Sequence, residues 1–378
     1  MIDFTFTEEQ EMFRKAAREF AETKVAPKVP EMEETGKVCD AVVKALGEAE
    51  MMALTISEEY GGLGLGYTAR LIALEEIGRV SAATAMMLQV FGLGIDPITR
   101  FGSDEQKKRY LPGLANGERL ATVAVTEATG GSDPKSGRTS YKKDGNGYAI
   151  TGRKCFITHS HVADTITVLA KDEEDPEVFT TFIVERGMEG FRPAHEEHKL
   201  GMRGCNTGEL VFENCRVPGE NLLGEEGKGM RSAMAAIGEV GRSGMVGCAL
   251  GLQAACLEAS VKFANERILY GKPISNLQTI QNKLAEMKID LEAGRLLGYR
   301  ATSMQDKGMR ASNELAAAKY FATEAAQKAA KMAVDIHGGY GCLEEYPVTR
   351  YLRDSFALGP SAGTSDIMKV IVARWALS

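Results

Sequence analysis

The sequence predicts an α+β protein in which two helical regions flank a smaller β region. In the middle of the chain, β-branched runs at residues 165–169 and 180–184 are typical of strands. On either side of this region, apolar residues recur with helical spacing. We therefore expect an N-terminal helical domain over residues 1–120, a β domain over 121–222 and a C-terminal helical domain over 223–378.

Two capping boxes mark helix starts in the N-terminal region. Thr7 and Ser103 each stand three residues before a glutamine, Gln10 and Gln106. At this spacing, the hydroxyl and the amide can each bond the other residue's backbone N–H. The turn-rich segment 58–64 separates the two boxes, so this region is predicted to contain several helices.

Local patterns also define the two later regions. The tetrapeptide Asp-Gly-Asn-Gly at 144–147 predicts a hairpin turn before a strand at 148–151. The Ala-rich segment 316–334 predicts a long, closely packed helix. A further helix is predicted by one apolar stripe, which comprises Leu277, Ile280, Leu284, Met287 and Leu291. Such broad apolar faces favour a homo-oligomer.

Composition limits the classes of function. The 378 residues are 44% hydrophobic and carry a formal net charge of −7, which disfavours a general nucleic-acid binder. We expect no membrane span and no secretory signal, because apolar runs are short and the first ten residues lack a signal pattern. The seven cysteines include no Cys-x-x-Cys pair, and His159 and His161 lack further ligands nearby. These patterns predict reduced thiols, no metal site and a cytoplasmic protein.

Four motifs suggest a ligand site. The Gly-rich segment 125–133 contains Thr126 and Ser132, and its glycines would let backbone amides approach a ligand closely, although a plain turn is equally compatible. Residues 154–158 read Lys-Cys-Phe-Ile-Thr, and residues 266–271 read Glu-Arg-Ile-Leu-Tyr-Gly. Residues 335–341 read Asp-Ile-His-Gly-Gly-Tyr-Gly.

Taken in this order, the four motifs resemble those of the flavin-dependent acyl-CoA dehydrogenases. The resemblance implies the acyl-CoA dehydrogenase fold, with a β-barrel-like middle domain and a C-terminal four-helix bundle, as well as bound FAD and a homotetramer. It places Phe156 against the isoalloxazine, where tryptophan is commoner, and Thr158 near flavin N5. The Gly-rich turn at 338–341 would contact the flavin of a neighbouring subunit.

The resemblance also implies individual contacts. Arg267 would reach the FAD pyrophosphate across the interface, which suits a guanidinium fork, whereas a solvated charge at a helix end is the alternative. Asp335 stands where glutamine is frequent. The implied cofactor contacts are Thr126, Ser132, Phe156, Thr158, Arg267, Tyr270, Gln278, Asp335, Gly338, Gly339, Thr364 and Asp366. The implied contacts to the CoA thioester are Ser132, Gln89, Glu239 and Arg242.

The acid that the resemblance leads us to expect is missing. The family places its catalytic glutamate either at the position of Ala362 or immediately before Arg242, where this chain has Gly241. Such a general base contributes about 10²–10⁴-fold in rate. Ala362 keeps its backbone N–H, which the family uses with a flavin ribityl hydroxyl to polarise the thioester carbonyl.

Three interpretations of the missing acid remain open. The first is 1,4-dehydrogenation of a cyclic enoyl-CoA, such as cyclohex-1-ene-1-carboxyl-CoA, with Asp96 as the base and with Gly92 and Gly94 leaving room for the ring. Asp96 could equally be a solvent-facing or capping acid before Pro97, and Glu239 is a lesser candidate base. The second is reduction of an enoyl-CoA, as in a crotonobetainyl-CoA reductase-like branch. The third is a catalytically silent flavoprotein scaffold.

Both active interpretations imply a CoA-thioester substrate. They also imply electron-transfer flavoprotein or a similar carrier as a partner, because the sequence shows no NAD-binding fingerprint. The acyl group and the direction of electron flow are left open by the sequence.

Overall fold

Helices form the first third of the protein. A computed structural model describes residues 5–378, so residues 1–4 of the predicted first domain lie outside the described residues. Both predicted capping boxes are confirmed: the hydroxyls of Thr7 and Ser103 accept from the backbone N–H of Gln10 and Gln106, each at 3.2 Å. The helices are α1 (Glu8–Phe20), α2 (Val29–Thr35), α3 (Asp40–Glu48), α4 (Gly66–Val80), α5 (Ala82–Phe101) and α6 (Asp104–Ala115).

A mixed sheet follows. Its strands are β1 (Ala121–Ala124), β2 (Ser140–Asp144), β3 (Gly147–Thr158), β4 (Thr165–Asp172), β5 (Phe179–Glu185), β6 (Phe191–Glu196), β7 (Thr207–Pro218) and β8 (Leu222–Leu223). The predicted hairpin is present, because Asp144 pairs with Gly147 and Gly145 adopts a positive φ of 58°. The order is β6-β7-β3-β2-β4-β5-β8, with β1 parallel to β4.

One apolar core lies inside this sheet. Strands β1 to β7 all contribute to it, including Tyr141, Ile150, Ile166, Phe182 and Phe212. Among the described strands, β6 and β8 at the two ends of the order do not pair with each other. The sheet therefore wraps around its core in the predicted barrel-like manner without complete closure.

Helices return after the sheet. They are α7 (Gly229–Ala235), α8 (Arg242–Glu266), α9 (Gln278–Asp306), α10 (Ser312–His337), α11 (Pro347–Ser355) and α12 (Ser365–Ala376), with a small hairpin of β9 (Ile268–Leu269) and β10 (Lys272–Pro273). A π-helical segment, Ala236–Gly241, joins α7 to α8 without a break. Helices α8, α9 and α10 pack on one another, α8 and α9 also pack on α4, and Met287 and Leu291 of the predicted stripe are buried.

Burial explains two features of composition. By length and composition, α5 and the continuous helix Gly229–Glu266 could cross a bilayer, which the sequence analysis did not anticipate. Their most apolar windows are 89% and 78% buried inside the protein, so core packing accounts for their apolar length. All seven cysteines are free thiols, and only Cys342 is exposed. Among residues 5–378, no group of three or more His, Cys, Asp or Glu side chains is placed to hold a metal ion.

The space beside Gly92 and Gly94 of α5 is filled by other residues of the protein. The prediction that these glycines leave room for a ring is therefore wrong. A Cβ added at Gly92 would lie 2.7 Å from Arg70 Nε, and one added at Gly94 would lie 2.5 Å from the backbone N of Thr122. Real Cβ atoms do not approach other atoms this closely. Gly92 therefore makes space for a buried arginine, and Gly94 lets α5 lie directly against β1.

We expect Gly94→Ala to lower the free energy of unfolding by about 1–3 kcal/mol, because the added methyl would push α5 away from the backbone of β1. Urea denaturation would measure the change. Gly113→Ala in α6 is a matched control, since its added Cβ would come no closer than 3.5 Å to any atom of Arg119. Alanine also has the higher helix propensity, so the control is expected to be neutral or stabilising. Equal stabilities for the two variants would contradict the packing role of Gly94.

Candidate active site

The two positions without an acid meet in space. Gly241 ends the π-helical segment, and Ala362 lies in the turn before α12. A Cβ added at Gly241 would lie 3.2 Å from the Ala362 Cβ and 3.7 Å from Cδ1 of Leu93. Both positions that the resemblance assigns to the catalytic acid therefore border one point, and neither residue supplies a carboxyl there.

The turn around Ala362 has an unusual backbone. Ala362 and Gly363 both adopt positive φ angles, 52° and 99°. For a residue with a Cβ, this left-handed region is sparsely populated. Among the hydrogen bonds of residues 5–378, none uses the Ala362 N–H as donor, so this donor is free for a ligand. After the turn, Thr364 caps α12 by accepting from the Ile367 N–H at 3.3 Å.

A buried lysine, which the sequence analysis missed, holds this turn. Nζ of Lys319 on α10 donates to the carbonyl oxygens of Gly359 at 2.6 Å and Gly363 at 2.8 Å. Burial lowers the pKa of Lys319 to about 8. A sequence signal existed, because Lys319 lies four residues after Leu315 and three before Ala322, on a face of the helix that is otherwise apolar.

Two buried side chains hold the π-helical segment on the other side of the site. Arg70, which the sequence analysis also missed, donates to the carbonyl oxygens of Val240 at 3.3 Å and Gln89 at 3.0 Å. Nε2 of Gln89 donates to the carbonyl oxygen of Gly241 at 3.1 Å. Gln89 was predicted to contact the substrate, but only 2% of it is exposed. Its side chain extends from α5 and packs against Gly244 of α8. In this structure its amide positions Gly241.

Asp96 is a buried carboxyl on the helix that carries Leu93. It lies on α5, three residues after Leu93, and only 6% of it is exposed. Oδ1 accepts from the hydroxyl of Tyr67 at 3.2 Å and forms an ion pair with Nε of Arg100 at 3.1 Å, whereas Oδ2 has no partner among the described residues. Burial raises the pKa of Asp96 to about 6, against the opposing effects of Arg100 and Tyr67. The alternative of a solvent-facing or capping acid is therefore wrong.

Arg100 joins Asp96 to the second candidate acid. Its guanidinium forms an ion pair with Glu239 as well as with Asp96. Glu239, predicted as a CoA contact and a lesser candidate base, is thus already paired. Burial, followed by the charge of Asp96, raises the pKa of Tyr67 to about 12, so Tyr67 stays a hydrogen-bond donor. Arg242, another predicted CoA contact, keeps a buried Nε without a partner among the described residues.

The first predicted cofactor cluster is fixed by a buried ion pair. Nζ of Lys154 lies 2.7 Å from Oε1 of Glu127, which ties the Gly-rich loop to strand β3. The backbone adds a bond from Cys155 N–H to the carbonyl oxygen of Thr126 at 3.0 Å. On this fixed strand, Phe156 adopts a positive φ of 55° and 64% of it is exposed. An exposed aromatic ring on a rigid backbone is suited to stacking on a planar ligand.

Two further residues complete this cluster. The carbonyl oxygen of Thr158 accepts from the hydroxyl of Thr122 at 2.7 Å, so β1 fixes the end of β3. Gly94 packs on the same residue of β1, which links helix α5 to the position of Thr158. Ser132 lies exposed on the Gly-rich loop.

The second predicted cluster surrounds an open cleft of about 450 Å³ at the end of α10. Arg267 lines the cleft with its guanidinium 5.4 Å from the centre of the Tyr340 ring. No salt bridge among the described residues involves Arg267. An added Cβ at Gly338 or Gly339 would meet nothing within 4 Å, so the backbone of this turn is open to a ligand. These features suit a diphosphate group.

The other predicted cofactor residues differ in their surroundings. Asp335 lines the cleft but forms ion pairs with Lys283 at 3.1 Å and Lys331 at 2.9 Å, which leaves its carboxylate engaged within the subunit. Tyr270 is 89% exposed and has a positive φ of 52°. Exposed positions at the starts of α9 and α12 are held by Gln278 and Asp366.

The two clusters fit FAD when they are considered together. The exposed ring of Phe156 suits the isoalloxazine, and the unpaired guanidinium of Arg267 suits the diphosphate. Among residues 5–378, no hydrogen bond, ion pair or ring contact joins the Phe156 cluster to the cleft of Arg267.

Comparisons with known proteins give matches along the whole chain. Three domain families match the chain. They are described as the N-terminal, middle and C-terminal domains of acyl-CoA dehydrogenase, and they match residues 7–118, 122–215 and 227–377.

Similar curated proteins include both dehydrogenases and reductases. An acyl-CoA dehydrogenase of Bacillus subtilis is 41% identical over 98% of each chain. An acryloyl-CoA reductase (NADH) of Anaerotignum propionicum is 38% identical over 99% of this chain and 95% of its own. A 3-(aryl)acrylate reductase of Clostridium sporogenes is 37% identical over 97% of this chain and 98% of its own.

Similar solved structures cover the whole chain. Butyryl-CoA dehydrogenase from Megasphaera elsdenii superposes with a TM-score of 0.97 at 34% identity, over 100% of both chains. A chain from a study of the electron transferring flavoprotein of Acidaminococcus fermentans has the same TM-score at 36% identity, also over 100% of both chains.

Proposed function

Because the chain belongs to the acyl-CoA dehydrogenase family of FAD-binding oxidoreductases, which act on the CH–CH bond of acyl-CoA thioesters, we propose that it performs a 1,4-dehydrogenation. The substrate would be a cyclic enoyl-CoA such as cyclohex-1-ene-1-carboxyl-CoA. One observation carries this proposal: Asp96 is a buried acid joined by Arg100 to Glu239, two residues before Gly241, whereas the two usual acid positions hold Gly241 and Ala362. A base displaced from those positions suits a proton further from the thioester than the α-proton.

The proposed reaction uses Asp96 as the base and the Ala362 N–H as a donor to the thioester. Asp96 takes a proton from the γ-carbon of the unsaturated thioester, and the double bond shifts by one carbon. A hydride would leave the ring carbon on the other side of the α-carbon, which then forms a double bond to the α-carbon; FAD held by the two clusters would supply the hydride acceptor. The free N–H of Ala362 donates to the thioester oxygen, where negative charge builds up.

The same proposal excludes the ordinary substrates of the family. For a saturated straight-chain thioester, the proton to be removed is on the α-carbon, next to the polarised carbonyl. No carboxyl at 241 or 362 is available to take it. The missing base makes 1,2-desaturation slow without preventing the thioester from binding.

Reduction of an enoyl-CoA, of the crotonobetainyl-CoA reductase type, is the second candidate. Two relatives named as reductases, at 38% and 37% identity, favour it. In this direction a protonated Asp96 would act as the acid. Its pKa of about 6 is near enough to neutrality for either role.

We also propose the surroundings in which the protein works. Electron-transfer flavoprotein is the proposed carrier, supported by the similar chain from the study of that protein in Acidaminococcus fermentans. A homotetramer is supported by exposed apolar side chains, among them Ile289 and Leu296 of α9. The proposed location is the cytoplasm.

Anaerobic titration of the FAD-loaded protein with a panel of thioesters tests the function. We expect cyclohex-1-ene-1-carboxyl-CoA to bleach the flavin rapidly. Bleaching by butyryl-CoA and octanoyl-CoA should be about 10²–10⁴-fold slower, because the site has no base for their α-proton. Rapid bleaching by butyryl-CoA would refute the proposal. Reoxidation of the reduced protein by enoyl-CoA, with no bleaching by the cyclic compound, would favour reduction. If no thioester changed the flavin spectrum, the catalytically silent flavoprotein scaffold would be the remaining interpretation.

A further inference from the structure

We infer that Lys319 is a positioning residue, which holds the turn that presents the Ala362 N–H to the thioester carbonyl. The inference rests on the proposed role of that N–H. It adds a residue from a distant part of the chain, 43 positions before Ala362 in the sequence.

The contacts of Lys319 enclose the turn from both sides. Its ammonium donates to the carbonyl oxygens of Gly359, three residues before Ala362, and of Gly363, immediately after it, at 2.6 and 2.8 Å. The side chain is fully buried, and no salt bridge among the described residues involves it. A buried lysine normally has a carboxylate partner. Here the two carbonyl oxygens of one turn take that place, so the whole hydrogen-bonding capacity observed for Lys319 serves the turn.

The turn requires such a restraint. Ala362 has a φ of 52°, a conformation that residues with a Cβ avoid unless their surroundings enforce it. The Ala362 N–H has no acceptor of its own within the described residues, so it does not help to fix the peptide plane. The Gly363 carbonyl belongs to the second peptide unit after the one that contains the Ala362 N–H, and anchoring it limits rotation about Ala362 and Gly363. Hydrogen bonds weaken steeply with misalignment, so a small rotation of this donor has a large effect.

The electrostatics of the site agree with this role. The pKa of Lys319 is lowered to about 8, chiefly by burial; Glu324 opposes this shift, and the nearby guanidinium of Arg242 contributes to it. No carboxylate among the described residues forms an ion pair with the ammonium, so its positive charge lies next to the turn that carries the proposed donor. A backbone N–H that donates to a carbonyl oxygen on which negative charge builds up contributes about 10²–10³-fold to kcat.

The test compares Lys319→Met with the FAD-loaded wild type. Infrared difference spectra of a bound thioester labelled with ¹³C at the carbonyl would report polarisation directly, as a shift of the C=O band from its position in the free thioester. We expect the shift in the wild type and its loss in Lys319→Met, with kcat reduced about 10²–10³-fold and KM changed less than about tenfold. Lys328→Met is the matched control. Lys328 lies on the same helix and pairs with Glu286 and Asp290 at the surface.

The outcomes separate this inference from the proposed function. A folded, FAD-loaded Lys319→Met that keeps both the band shift and kcat would overturn the inference alone. A wild type without a band shift would overturn the proposed carbonyl site, and the inference with it. If Lys319→Met does not fold, Lys319→Arg gives the second measurement. It keeps the charge but moves the donors, so a reduced shift is expected and an unchanged shift and kcat would contradict the positioning role.

Discussion

Replacing Asp96 by asparagine lowers the rate of oxidation of a cyclic enoyl-CoA by about 10²–10⁴-fold, the usual contribution of a positioned general base. Asparagine keeps the size of the side chain and an oxygen for the hydroxyl of Tyr67, but it cannot take a proton. Stopped-flow measurement of flavin reduction would give the rate. FAD content and the far-ultraviolet spectrum should stay those of the wild type.

Stability separates a catalytic role for Asp96 from a structural one. The pKa is about 6 in the folded protein, above the ordinary value of 3.8. Ionisation therefore costs folding free energy, and the contribution of Asp96 to stability falls as pH rises from about 4 through about 6. At pH 7, Asp96→Asn removes this cost, so we expect no loss of stability. If Asp96→Asn were much less stable than the wild type, unfolding would explain its lost activity, and a role of Asp96 as the base would not be needed.

The pH profile provides the matching kinetic check. Because the carboxylate form is the base, oxidation in the wild type should rise as pH passes through about 6. Reduction, which needs the protonated form, should fall over the same range. The change in rate near pH 6 should be absent in Asp96→Asn. It should be retained in Asp104→Asn, a control at the exposed start of α6. Undiminished oxidation by Asp96→Asn would show that the base is elsewhere.

Replacing Ala362 by glutamate creates 1,2-desaturation of butyryl-CoA, with an expected gain of about 10²–10⁴-fold over the wild type. The backbone donor is already free at this position, and its positive φ is already accepted by a residue with a Cβ. Gly241, the facing residue, has no side chain to obstruct the longer one. The carboxylate should therefore reach the α-proton without a change in the turn.

The control for this gain is Ala362→Gln, which has the same length and cannot act as a base. We expect it to desaturate butyryl-CoA no faster than the wild type. Formation of crotonyl-CoA would be followed by chromatography of the thioester products. A folded, FAD-loaded Ala362→Glu with no gain over Ala362→Gln would contradict the geometry derived for the pair of positions 241 and 362.

Features of the fold that depend on neighbouring residues were predictable from the sequence. The capping boxes at Thr7 and Ser103 involve residues three apart, and the hairpin at 144–147 involves four consecutive residues. The order of helical, β and helical regions follows from spacing in the same way. Closure of the sheet depends on pairing between distant strands, and no local pattern indicates how completely the sheet closes.

The candidate site was predictable only in part. The missing acid could be recognised at Ala362 and Gly241, but the contact between these positions joins residues more than a hundred apart. Asp96 precedes a proline and so resembled an exposed helix end, whereas α5 continues through Pro97 and buries it. The positions of Gln89 and Lys319 depend on hydrogen bonds to distant backbone carbonyls, and such acceptors have no side-chain signature.

The π-helical segment Ala236–Gly241 has an evolutionary consequence. A π turn contains one residue more than an α turn, so losing one residue there restores regular helix. Helix α8 is held by its packing, and a deletion of Gly241 would place Val240 directly before Arg242 and opposite Ala362. Gain or loss of a single codon in this segment therefore changes which side chain lines the reaction centre, without any substitution in the helices that frame it.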